Sequence, residues 1–180
     1  RNALLENLVA KLTPSFDFLL LSFISGLLAG LAALANTPAL FLLAALAAPF
    51  LSPVIGLSLA SIIGSRDFFL RSLAAALIGG ILVFAGGALG GLIALQFPSI
   101  PIQHAYLHAH FSWMDFLVLV IGSGLTTIIV IRNGENPRFH VTNVALAYAL
   151  YLPLGVAGFG IMTASQGLWP DGLLVFGVHL

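Results

Sequence analysis

Three histidines within seven residues, His104, His108 and His110, are the densest group of potential metal ligands in the sequence. Histidines that are four residues apart share one face of a helix, and two or three imidazoles can bind zinc or copper. The chain has no cysteine, and the nearest acidic residue is Asp115. A loop with incidental histidines is therefore the competing interpretation, and the sequence favours it.

A second group of candidate residues surrounds prolines in two apolar stretches. Proline lacks an amide hydrogen and its ring clashes with the carbonyl group one turn back, so a helix kinks or opens there. Opened helices expose backbone groups that can bind a cation or a polar solute. The alternative is that these prolines only bend packed helices. The predicted substrate-binding residues are Pro49, Ser52, Pro53, Gly56, Tyr148, Tyr151, Pro153 and Gly155.

The composition excludes an ordinary soluble domain, in which about 25 % of the residues are charged. Here 60 % are hydrophobic and 7 % are charged. A helix that crosses a bilayer needs about 20 apolar residues, and the chain has room for several. The fold class predicted is therefore an all-α integral membrane protein with the lipid bilayer as its partner.

Other classes of function find little support in the sequence. The formal net charge is zero, so there is no indication of nucleic-acid binding. No glycine-rich phosphate loop, nucleophile elbow or pair of carboxylates is recognisable. We therefore expect neither an enzyme nor a bound cofactor.

Apolar segments divide the chain into about six predicted transmembrane helices. They cover about residues 16–35, 39–64, 68–97, 115–131, 141–163 and 172–180, the last being the first half of a span. The predicted organisation is an amphipathic interfacial leader or linker at 1–14, a three-helix repeat at 15–97, a His-containing loop at 98–112 and a second three-helix repeat at 113–180.

An internal duplication supports this division. Asp17-Phe18 aligns with Asp115-Phe116 at an offset of 98, and Pro53 aligns with Pro153 at an offset of 100. Because each copy contains an odd number of spans, the copies must have opposite orientations. The prediction is an inverted three-plus-three repeat with proline-broken second and fifth helices, a layout found in many secondary transporters.

The basic residues predict the orientation. With six spans, all six Lys and Arg residues lie on one side of the membrane. The positive-inside rule places that side in the cytoplasm. We therefore expect a multi-pass protein of the cell inner (cytoplasmic) membrane with a cytoplasmic N-terminus.

Small residues recur every four positions in the third predicted span. Such a row lets helix backbones approach closely in a membrane. It indicates either packing inside one bundle, which we favour, or the seam of a homo-oligomer or larger membrane complex. The residues are Ala75, Gly79, Val83, Gly87 and Gly91, with a second pair at Gly86 and Gly90.

Two segments resemble a prokaryotic membrane family. They are LAAPFLSPVIGLSLA, from Leu46 to Ala60 and followed by Gly64-Ser65-Arg66-Asp67, and VALAYALYLPLGVAGFG, from Val144 to Gly160. The family is the uncharacterised hydrophobic-domain family called domain of unknown function 389. The resemblance covers roughly residues 20 to 180 and implies a multi-spanning membrane protein. It supplies no activity and no catalytic residues.

The predicted function is that of a transporter-like or channel-like protein with its pathway at the broken helices. The alternative is a non-transport subunit, a scaffold or a sensor, acting through a missing cytoplasmic domain or a larger complex. Asp17 and Asp115 are expected to cap their helices. Apart from His179, no ionisable residue falls in the middle of a predicted span, which mildly favours a neutral solute, a backbone-coordinated ion or a passive path.

Overall fold

The computed structural model describes residues 15–49, 51–97, 101–133 and 139–180, with side chains undescribed at 51–52, 55, 123, 126–133 and 139–143. The described residues form eight helices and no strand. The predicted leader at 1–14 lies outside them. The helices are α1 Phe16–Ala35, α2 Pro38–Ala47, α3 Leu51–Ile63, α4 Arg66–Ala94, α5 Gln103–Ala109, α6 Trp113–Asn133, α7 Phe139–Met162 and α8 Leu168–His179.

Three of the described helical segments are long and apolar enough to cross a membrane: α1, α4 and Val144–Met162 of α7. A fourth span results if α5 and Trp113–Gly122, which meet at an angle of 60°, are counted as one broken helix. The described chain is thus all-helical, and its apolar helices fit association with a membrane.

The core is built from α1, α4 and α7, which run parallel to one another. Along α1, Gly26 lies against Val83, and Gly30 lies against Gly87 and Gly90 of α4. Residue numbers therefore increase together on the two helices. The same order holds between α4 and α7, where Gly80 faces Leu154 and Gly91 faces Phe159.

Glycine permits this close approach because it has no side chain. A β-carbon at Gly90 would lie 2.7 Å from the Cα atom of Gly30, and one at Gly91 would lie 2.7 Å from the carbonyl oxygen of Phe159. Both rows of small residues in α4 therefore contribute glycines to contacts inside the bundle. This agrees with the prediction that the rows serve packing within one bundle. Gly79, Gly86 and Gly87 also contact α1 or α7.

The predicted opening of the helix at Pro49 is present between α2 and α3. Ala48 has extended backbone angles, φ −72° and ψ 122°, because the ring of a following proline disfavours the helical region. The second proline, Pro53, lies in the first turn of α3, where its missing amide hydrogen would have no partner anyway. The two prolines thus end one helix and fit the start of the next.

A side chain of α1 stabilises the broken backbone. The amide of Ala48 donates to the carbonyl oxygen of Ala45 instead of Ala44, at 3.3 Å. The carbonyl oxygen of Ala44 accepts a hydrogen bond from the buried hydroxyl of Ser25 at 2.8 Å. Ser25 therefore satisfies a carbonyl group that the interrupted helix leaves open.

The prediction of a broken fifth helix is wrong, because α7 continues through Pro153. A single proline frees one carbonyl oxygen, four residues earlier, which here belongs to Ala149. That oxygen lies 2.9 Å from Nδ1 of His179 on α8. The side chain replaces the missing amide, so the helix need not open.

The predicted loop at 98–112 also differs from the structure. Residues 103–109 form the short helix α5, which packs against α7 and α8. Its first turn is held by the amide of His104, which donates to Oδ1 of Asn36 at 3.0 Å. The tyrosine hydroxyl of Tyr106 donates to the carbonyl oxygen of Gln166 at 3.1 Å. These contacts with distant residues explain why the local sequence did not reveal the helix.

The Ser25 bond can be tested by comparing two buried serines of α1. We expect Ser25→Ala to lower the free energy of unfolding by about 1–2 kcal/mol, because a buried carbonyl group loses its donor. Ser22→Ala is the matched control, since the buried hydroxyl of Ser22 has no hydrogen-bond partner among the described residues. Denaturation in mixed micelles, followed by circular dichroism, measures both. Equal stability of the two variants would contradict the assignment.

Glycine packing is tested by the same substitution at two helical positions. We expect Gly87→Ala to destabilise the bundle by about 1–3 kcal/mol through overpacking, because the new methyl group would meet the backbone of Gly155. At Gly124 of α6 no atom of the described residues lies within 4 Å of an added β-carbon. Gly124→Ala should therefore be neutral or slightly stabilising in the same denaturation assay. The close-packed core is refuted if Gly87→Ala is equally harmless.

Candidate functional site

A cavity of about 390 Å³ lies between α2, α5, α6, α7 and α8. Its walls are mostly apolar and include Pro153. The polar side chains on its wall come from four helices and from the α5–α6 connection, and they are His108, His110, Asp115, Tyr148 and His179. The cavity therefore combines apolar walls with a few polar groups, as small-molecule sites do.

His108 lines the cavity and also contacts α2, the first helix of the broken second span. Its Nε2 atom lies 3.2 Å from the hydroxyl oxygen of Tyr148, and the two rings meet edge to face with centroids 4.9 Å apart. On its other side the imidazole contacts the ring of Phe41 in α2, at a centroid distance of 4.5 Å. Phe41 is fully buried. This packing fixes the orientation of His108 between α2 and α7.

His179 has the most unusual environment on the wall. A carbonyl oxygen only accepts, so Nδ1 must carry the proton in the bond to Ala149, and Nε2 of the neutral ring then presents a lone pair. That Nε2 atom is buried and has no hydrogen-bond partner among the described residues. The ring stacks on Phe116, with centroids 5.9 Å apart and an interplanar angle of 27°.

Asp115 brings a carboxylate to the same wall. It lies in the first turn of α6, after the bend that separates α6 from α5. The position suits an acidic side chain because the N-terminal end of a helix dipole is positive. The side-chain cap at this end is Ser112, whose hydroxyl oxygen accepts from the amide of Asp115 at 3.4 Å, so Asp115 favours the helix end by its charge alone. The structure adds its position on the cavity wall.

His110 occupies the exposed side of the cavity. Its Nδ1 atom lies 2.8 Å from the carbonyl oxygen of Tyr106, and its Nε2 atom lies 3.3 Å from a carboxylate oxygen of Asp171. Both nitrogens therefore face acceptors within the chain. His110 is already engaged, which distinguishes it from His179.

The predicted substrate-binding residues separate into two groups. Tyr148 and Pro153 line the cavity. Pro49 lies at the break, and Pro53 and Gly56 are buried in α3.

The remaining predicted residues face the helix core or lie outside the described side chains. Tyr151 lies against Gly79 of α4, and Gly155 lies against Gly87. The side chain of Ser52 is not among those described. The break itself adjoins α7, because Ala48 belongs to the same buried cluster as Leu150 and Tyr151.

The three histidines of the metal hypothesis do not act as one group. His108 and His110 line the cavity, whereas His104 does not. In the part of the chain that the structure describes, no three His, Cys, Asp or Glu side chains are placed to share a metal ion.

The sequence analysis did not predict that Asp115 and His179 line the same cavity. The signal for His179 was indirect: Pro153 leaves a carbonyl group without an amide, and some donor must satisfy it. Which side chain does so depends on how α8 packs against α7. Nothing local to residue 179 indicates this.

Comparison with known proteins identifies a family and adds no function. No curated protein and no solved structure matches the chain. A family model described as a domain of unknown function (DUF389) matches residues 45–180. The match begins just before the break at Pro49 and includes every residue on the cavity wall from α5 to α8. The chain therefore belongs to the DUF389 family.

Proposed function

We propose that this protein is a transporter-like or channel-like protein of the cytoplasmic membrane, and that the cavity beside Pro153 is where its solute binds. The observation that carries this proposal is the cavity itself. It lies among apolar helices, and five polar side chains reach its wall. Ionisable side chains are rare within membrane helices and usually mark pathways or ligand sites.

The parallel core helices support the proposed orientation. Because α1, α4 and α7 run in the same direction, their first residues lie on one side, where Arg66 and Arg71 begin α4. The connections at the other side, residues 36–37, 95–102 and 163–167, contain no Lys or Arg. The positive-inside rule then favours a cytoplasmic location for the start of each core helix.

Six spans in an inverted repeat remain the proposed topology. Five residues join α6 to α7, and short connections favour antiparallel neighbours. α6 would then run opposite to α1, its counterpart in the repeat. The copies differ at their middle spans. The second span is divided into α2 and α3, whereas the fifth span is the continuous helix α7.

A non-transport membrane subunit is the second candidate, and the surface of α6 favours it. This helix packs mainly against α7. Leu119 of this helix is buried, but seven of its large apolar side chains are half exposed or more, a pattern that fits either lipid or a protein partner. They are Trp113, Met114, Leu117, Val118, Val120, Ile121 and Leu125.

The topology is tested by single cysteines, because the natural chain contains none. We expect Ser65→Cys, between α3 and α4, to react with a membrane-impermeant maleimide only from the cytoplasmic side. Ser165→Cys, between α7 and α8, should react only from the opposite side. Labelling of intact cells and of inverted vesicles distinguishes the two. Labelling of both positions from one side would refute the orientation.

Transport is tested by filling the cavity. Proteoliposomes are challenged with glycerol, urea, potassium chloride and methylammonium chloride, and solute entry is followed by stopped-flow light scattering. We expect at least one solute to enter faster than into protein-free vesicles, and Ala145→Phe to abolish the difference, because Ala145 lines the cavity. Ala74→Phe, at an exposed site of α4, is the matched control.

Two results would contradict the transport proposal. The first is that no solute of the panel enters faster than into protein-free vesicles. The second is that Ala145→Phe and Ala74→Phe conduct equally well, which would place any pathway elsewhere. A stable complex isolated through the α6 surface, combined with either result, would support the subunit.

A further inference from the structure

We propose that the cavity beside Pro153 binds a small organic cation, a primary ammonium group attached to an apolar body. This inference rests on the proposed function, since it names the class of solute for the same cavity. It departs from the expectation of a neutral solute, because the sequence did not reveal that Asp115 and His179 lie on one wall.

The charge of the wall selects a cation. Asp115 is the carboxylate on it, and none of the described lining residues is Lys or Arg. The second nearby carboxylate, that of Asp171, already contacts His110 at 3.3 Å. With no Lys or Arg among the described lining residues, this carboxylate attracts a positive group and disfavours an anion.

The Nε2 atom of His179, which has no partner among the described residues, favours a ligand that donates a hydrogen bond. With Nδ1 donating to the carbonyl oxygen of Ala149, the buried Nε2 atom of a neutral ring is an acceptor. A buried acceptor without a donor is costly, and an ammonium group offers three donors. Phe116, which follows Asp115 in the chain, stacks on His179. Asp115 and His179 both line the cavity.

The remaining surface suits an organic body better than a bare metal ion. The described residues place no three His, Cys, Asp or Glu side chains around a common point. The walls instead offer aliphatic side chains such as Leu107, Val118 and Val175. Tyr148 adds an aromatic ring, and such rings attract ammonium groups through their faces. The volume of about 390 Å³ is typical of small-ligand sites.

The probe for this inference is 2-phenylethylammonium, compared with the neutral isostere 2-phenylethanol and the anion phenylacetate. Binding to the full chain in lipid nanodiscs is measured by isothermal titration calorimetry, and empty nanodiscs provide the correction for partitioning into lipid. We expect saturable binding of the cation, about tenfold or more tighter than either comparison compound. Equal affinity for the alcohol, or no saturable binding of the cation, would overturn the inference.

Neutralising the two homologous acids separates a specific charge effect from a general one. Asp115→Asn should weaken binding of 2-phenylethylammonium about tenfold or more and leave binding of 2-phenylethanol unchanged. Asp17→Asn is the matched control, because Asp17 occupies the corresponding first turn of α1 and is absent from the cavity wall. Equal effects of the two substitutions would refute a role for Asp115 in selecting the cation.

Two variants distinguish the function of Nδ1 of His179, which donates to Ala149, from that of Nε2, which would accept from the cation. His179→Asn retains an amide donor near the position of Nδ1 but has no group at Nε2, so we expect a folded protein that binds the cation weakly. His179→Gln retains a polar group near Nε2 and should bind more tightly than His179→Asn. Circular dichroism in nanodiscs verifies folding. A folded His179→Asn variant with normal cation affinity would contradict the proposal.

The binding and transport proposals fail separately. If the cation binds but no solute of the panel crosses the membrane, the ligand class stands and the transport function falls. If solutes cross and the cation does not bind, transport stands and the ligand class falls. Calorimetry and light scattering on the same preparation give both results.

Discussion

A carbonyl oxygen without a donor is the constraint on which this structure depends. In apolar surroundings such a group finds no water, so another part of the protein must satisfy it. Before Pro49 the helix is interrupted, and the hydroxyl of Ser25 donates a hydrogen bond to the carbonyl oxygen of Ala44. Pro153 cannot donate to the carbonyl oxygen of Ala149, and Nδ1 of His179 does so instead. The two prolines therefore determine contacts between helices as well as local bends.

The glycine contacts explain why the cavity lies where it does. On one face α7 packs tightly against α1 and α4, where Gly155 lies against Ala29 of α1 and Gly158 lies against backbone atoms of α4. That face leaves no room for a ligand. On the other side of α7, side chains from α2, α5, α6 and α8 line the cavity. One face of α7 is thus closely packed against the core helices, and Tyr148 and Pro153 on its other face line the cavity.

Much of this architecture was predictable from apolar segment lengths alone. The predicted span 16–35 coincides with α1, and the break near Pro49 follows from the intrinsic geometry of proline. The continuity of α7 was not predictable, since it depends on a side chain 26 residues beyond Pro153. Of the candidate site, Tyr148, His108 and His110 were identified, but under two separate hypotheses. Only tertiary packing brings them to one wall.

The central claim is that the cavity admits cations from water. Its most direct test is the reaction of Ala145→Cys, in membranes, with the cationic reagent 2-aminoethyl methanethiosulfonate and the anionic reagent 2-sulfonatoethyl methanethiosulfonate. The account predicts modification by the cation about tenfold or more faster than by the anion. Ser165→Cys, in the connection between α7 and α8 and absent from the cavity wall, should show no such preference. An Ala145→Cys variant that reacts with neither reagent, or with both equally, would contradict it.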